Sequence, residues 1–166
     1  MLRFFFLAAL LLTCLSTMQC SPGVTVLNIR ELPNYDSRSA DHILFLNFRI
    51  TGKAGGRERV ELAGTNLGVG RMKNIYHPVN FPVRIKAIPR YGDVGLEEEM
   101  TFEHPLYRSA EVSDESGHID RKEVEAKEGS LQVRMPVRPG LNALELFSVT
   151  PEKGTVKIYT LHFDQP

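Results

Sequence analysis

Five histidines, two cysteines and twenty Asp or Glu side chains are the groups in this 166-residue chain that could bind a metal, move a proton or attack an electrophile. His42, His77, His104, His118 and His162 are dispersed, and no HExxH pair is present. Zinc chemistry needs ligands that converge, and this spacing offers none locally. Asp93, Glu97, Glu98, Glu99 and Glu103 supply the oxygen ligands that suit a hard cation, as do Asp114, Glu115 and Asp120. Neither run has the ligand spacing of a calcium loop, so both read as solvated segments. GTNLGVG at 64–70 lacks the lysine and hydroxyl of a phosphate-cradling loop. No GxSxG elbow marks a nucleophilic serine, and paired carboxylates for glycoside hydrolysis have no fixed geometry in a loop. The expectation is a chain with no catalytic residue, no metal and no cofactor.

The cysteines carry a different kind of chemistry. Both precede residue 21, in a start that runs from Arg3 through the apolar Phe4–Leu12 into Thr13, Cys14, Leu15, Ser16 and Thr17. A positive charge, a short apolar centre and small or polar residues after it describe an export signal. The apolar run is shorter than the roughly 20 residues that cross a bilayer core. Cleavage after Ser16 would leave Cys20 as a lone thiol. The alternative is carried by Leu15-Ser16-Thr17-Met18-Gln19-Cys20-Ser21, which resembles the lipobox of bacterial lipoproteins. The resemblance covers about twenty residues and concerns processing alone. It implies cleavage before Cys20 and a diacylglycerol on its sulfur. Gln19 and Thr17 stand where such signals place a small residue and a leucine, and Cys14 offers a competing site after Leu11-Leu12-Thr13.

The domains expected are therefore a signal peptide over 1–19, a lipidated N-terminus and short linker over 20–23, and one domain over 24–166. Short β-branched and alternating runs fill that domain. HILFLNFRIT at 42–51 places Leu44, Leu46, Phe48 and Ile50 on one face and Asn47 and Arg49 on the other. VTVLNI at 24–29, RERVELAG, VNFPVRIKAI at 79–88, EEMTFEH at 98–104, SLQVRMPV at 130–137, ALELFSV at 143–149 and TVKIYTLHF at 155–163 bring the count to about eight strands. GKAGG at 52–56 suits a hairpin turn, and 64–70 a glycine-rich turn or bulge. Pro82 suits a strand beginning or an edge. Residues 109–130 read as a solvated insertion with a short helix near Arg121 to Lys127. The fold class expected is all-β, an antiparallel two-sheet sandwich, Ig-like or jelly-roll-like, with a barrel as the alternative.

Formal charge is zero overall but unevenly spread. Residues 30–90 hold eleven Lys or Arg against five Asp or Glu, and residues 91–128 hold four against twelve. Arg57, Arg59, Arg71, Lys73, Arg84 and Lys86 are the candidate interaction surface. Tyr76, Phe81 and Tyr91 could stack on bases, but export argues against a nucleic-acid partner and alternation makes Phe81 a core residue. The function expected is a noncatalytic cell-envelope lipoprotein, exported and anchored at the outer or cytoplasmic membrane. It would act as a protein-interaction or structural module toward an envelope protein or polymer, with the lipid membrane as its second partner. The alternatives are a periplasmic or secreted carbohydrate- or protein-binding sandwich and, further off, a small hydrolase.

Overall fold

The computed structural model describes residues 25–73, 81–92, 98–113 and 117–164. Residues 1–24, with Cys14 and Cys20 and the expected signal peptide, lie outside them. Among the described residues ten strands run in chain order as β1 (Val26–Asn28), β2 (His42–Lys53), β3 (Arg57–Val69), β4 (Arg84–Tyr91), β5 (Met100–Glu103), β6 (Tyr107–Ser113), β7 (Ile119–Glu125), β8 (Glu128–Pro136), β9 (Leu141–Thr150) and β10 (Gly154–Asp164). They form a five-stranded sheet in the order β1-β10-β9-β4-β5 and a three-stranded sheet in the order β3-β2-β8, with β6 and β7 paired as a hairpin of their own. The fold is the expected all-β two-sheet sandwich.

Period-two alternation explains why two faces meet. Leu44, Leu46, Phe48 and Ile50 of β2 are each fully buried, and their register partners Leu67, Val60, Met135, Val133 and Leu131 are buried with them. From the other sheet come Ile85 and Ala87 of β4, Leu144 and Leu146 of β9, and Leu161 and Phe163 of β10. Each large apolar side chain removed from water in this way contributes about 1.5–3 kcal/mol.

The turn between β2 and β3 needs glycine. Gly55 and Gly56 stand at φ 75 and 65, a left-handed region that side chains with a Cβ avoid. A second glycine answers to a close approach: a Cβ on Gly129 would lie 2.5 Å from the Pro105 oxygen, so the 104–106 segment sits directly against the start of β8.

Three expectations change. β3 runs on through Val69, so of the turn or bulge expected over 64–70 the turn is absent and a bulge stands at its edge, at Ala63, with Asn47 pairing with Gly64 and Phe48 with Leu62. Residues 119–125 form strand β7 and no helix. Charged residues favoured a helix by propensity, but the segment has no apolar stripe for a helix to bury, and an unbroken ladder from Tyr107–Glu125 to Ser113–Ile119 pairs it with β6 along its whole length. β4 begins at Arg84, two residues past Pro82, and lies between β5 and β9, so Pro82 precedes a central strand. Pro89 sits inside β4 but beyond the last β5 partner of that strand, Ala87–Met100, where no described strand pairs with that side.

Candidate functional site

Glu58 follows Arg57 at the start of β3 and pairs in register with Gly52. It shares the inward phase of Val60, so its carboxylate enters the end of the sandwich rather than solvent, with its side chain 8% exposed. Ser148 of β9 lies in the inward phase of Leu144 and Leu146 and is also buried. His104, just past the end of β5, is fully buried between them. The Ser148 hydroxyl donates to Glu58 Oε1 at 2.9 Å, and His104 Nε2 lies 3.2 Å from Ser148 Oγ and 3.3 Å from Glu58 Oε1. The Leu106 amide donates to His104 Nδ1 at 3.2 Å, and the Tyr107 ring meets the imidazole edge-on at 4.8 Å.

A serine, a histidine and an acid in contact invite comparison with a hydrolytic triad, and the wiring decides against it. In a triad the hydroxyl gives its proton to one imidazole nitrogen while the acid orients the ring through the other. Here a backbone N–H occupies Nδ1, which leaves the ring proton on Nε2, directed at Ser148 and Glu58. The ring therefore holds no free base for the hydroxyl, which points its own proton at the carboxylate. All three side chains act as a polar clasp joining β3, β9 and the β5–β6 connection. Burial pushes the Glu58 carboxyl up. The hydrogen bonds from His104 and Ser148, with the charge of Lys153 nearby, outweigh burial and hold it below its ordinary value. Its second oxygen, Oε2, is buried without a hydrogen-bond partner.

Three turns converge around this clasp. Lys53 and Arg57 face each other across the β2–β3 hairpin, the Gly52 amide donates to the Lys127 oxygen at 3.0 Å, and the Lys153 ammonium donates to the Gly56 oxygen. Two clefts result, both walled by Gly56, Arg57 and Glu58. One, of about 340 Å³, opens toward Ser148, Thr150, Lys153 and Val156. The other, of about 350 Å³, opens toward Lys53, Leu106, Tyr107 and Lys127. At the opposite end a third cleft, of about 360 Å³, lies among Arg30, Tyr35, His42, Arg138 and Asp164. His42 is buried there, stacked on Tyr35 at 5.2 Å with Nε2 donating to the Asp36 oxygen at 3.0 Å.

The candidate interaction residues divide into three places. Arg57 and Arg59 are exposed at the start of β3, Arg59 pairing with Glu61 at 2.6 Å. Arg71 and Lys73 follow the far end of the same strand, where Arg71 meets Asp41 at 2.7 Å. Arg84 and Lys86 lie on the outward face of β4 in the other sheet, with Arg84 donating to the Phe81 oxygen at 3.0 Å and Lys86 meeting Glu99 at 2.9 Å. Among the acids, Glu98 pairs with Arg138 at 3.0 Å, and Glu103 is exposed. His118 and His162 are exposed. Tyr76, His77, Asp93, Glu97, Asp114 and Glu115 lie outside the described residues. Among the described residues no three His, Cys, Asp or Glu side chains are placed to hold a metal, and no helix is long and apolar enough to cross a membrane.

Glu58 and Ser148 were not among the sequence candidates, and His104 appeared only as one of five scattered histidines. One signal does mark two of them: a polar side chain in the inward phase of an alternating strand, Glu58 with Val60 and Ser148 with Leu146. No protein-family model, curated protein or solved structure matches the chain.

Proposed function

We propose that this chain is a noncatalytic cell-envelope lipoprotein, held to a membrane through acylated Cys20 and presenting its sandwich as an interaction module for an envelope protein or polymer. The observation that carries the noncatalytic half is the wiring of Glu58, His104 and Ser148. The three groups best suited to hydrolysis are consumed in holding two sheets and a loop together. What remains open beside them is a pair of clefts with exposed cations on the rim, a surface made for contact. Arg57 and Arg59 join that rim to β3, which has a neighbour on one side only in its sheet. The anchoring half rests on the lipobox-like stretch before Ser21.

The test separates the two halves. Intact mass and membrane fractionation of wild type and Cys20→Ala address the anchor: the expected result is a diacylglycerol mass increment lost with the cysteine, and release of the variant from the membrane. Unchanged processing and retention in Cys20→Ala overturn the anchor. Crosslinking in intact cells with Arg57→Glu/Arg59→Glu addresses the module: loss of adducts is expected, and an unchanged set overturns this surface.

A further inference from the structure

We infer that the two clefts flanking Arg57 form one binding site for an acidic saccharide. This rests on the interaction-module reading above and names the class of partner.

The chemistry follows from what the clefts lack and what they offer. Glu58 lines both, its Oε1 is engaged by Ser148 and His104, and its Oε2 is a buried acceptor with no donor. A buried carboxylate oxygen is stabilised by a donor, and a hydroxyl or amine entering either cleft is one group able to supply it. Reaching Oε2, which is buried in this structure, requires the Glu58 carboxylate to turn about its soft terminal torsion. An amine is disfavoured by the rim, where the exposed cations Lys53, Arg57 and Lys127 outnumber the one exposed acid, Glu125. Lys153 adds a further cation on the other side. These require acceptors of negative charge, and the Arg57 guanidinium suits a carboxylate's two oxygens. Val156, 44% exposed, and Ile158 supply an apolar wall against which the C–H face of a sugar ring packs.

Each other class fails on one count. A basic peptide meets the cationic rim, a polyphosphate has no donor for Glu58, and a neutral glycan leaves Arg57 without an anion. A uronic acid carries hydroxyl donors and a carboxylate on one ring. Two clefts on either side of a single arginine favour a chain of such rings lying across the β2–β3 hairpin over one isolated monosaccharide.

The experiment is calorimetric titration of the mature protein with oligogalacturonate and hyaluronan oligosaccharides, set against maltooligosaccharides and polyphosphate. An acidic saccharide is expected to bind at least ten-fold more tightly than either control. Arg57→Ala, an exposed change, should weaken binding about ten-fold or more. Glu58→Gln should weaken it about five-fold. Arg134→Ala, exposed on β8 and lining neither cleft, should bind as wild type. Silence toward both acidic saccharides, polyphosphate binding as tight as theirs, or wild-type affinity in Arg57→Ala overturns the site. The two proposals fail separately: an acylated, membrane-bound protein that ignores both acidic saccharides loses the site and keeps its anchor. A protein without lipid that binds them does the reverse.

Discussion

Among the described residues each end of the sandwich buries one histidine, and the two burials differ in reach. His104 is held by groups far away in the chain, Glu58 on β3 and Ser148 on β9, together with its near neighbour Leu106. His42 is held by Tyr35 and the Asp36 main chain, all within seven residues. The first ring ties the two sheets to each other. The second pins a loop to the strand it precedes. A buried polar group is worth keeping only if its hydrogen bonds are made, and the two ends satisfy that demand at long and at short range. The difference should appear as global against local loss when either ring is removed.

The largest effect is expected from His104→Leu. Leucine fills space but leaves the Leu106 amide without its acceptor and the buried Glu58 carboxylate with Ser148 as its one hydrogen-bonding partner. A cost of about 3 kcal/mol follows from stranding a buried charge, read as a lowered urea midpoint with an unchanged slope. A cost below about 1 kcal/mol would show that the clasp does not join the sheets and would remove the contrast between the two ends.

An effect of intermediate size comes from pH. The folded carboxyl of Glu58 titrates below its ordinary value of 4.5, because the His104 and Ser148 bonds outweigh burial. On acidification the unfolded chain therefore takes up the proton first. The stabilisation is complete above the unfolded value and is lost as pH falls through the folded one. Comparing wild type with Glu58→Gln isolates this contribution: the wild-type advantage should be steady near neutrality and shrink below about pH 4.5. An advantage that grows on acidification would mean that the clasp prefers a neutral carboxyl.

How much of this could be read from the chain depends on range. The alternation of Leu44, Leu46, Phe48 and Ile50 encodes one buried face by itself, because period two is a local property. The turn at Gly55 and Gly56 is equally local. β6 and β7 were harder, since a ladder between Tyr107–Ser113 and Ile119–Glu125 depends on a partner strand while the charged run from Arg121 to Glu125 speaks only for its own propensity. The clasp was hardest. Glu58, His104 and Ser148 are separated by more than forty residues each, and only the sheet order brings β3 and β9 face to face at that end. The inward phase of Glu58 and Ser148 marks them as unusual, but phase names no partner. The six cations show the converse: neighbours in sequence charge, they are carried to two ends and two sheets by the same topology.

The smallest effect, and the one that sharpens the comparison, belongs to His42→Ala. It removes one hydrogen bond to the Asp36 oxygen and one ring stack on Tyr35, together about 1 kcal/mol. Because both partners lie in the preceding loop, the loss should stay there. Amide hydrogen exchange should accelerate across residues 35–42, while protection at Leu106 and along β9 stays at its wild-type level. Equal acceleration at both ends would mean that His42 also reports on the packing of the sheets. In that case the distinction between a ring that joins sheets and a ring that pins a loop would not hold.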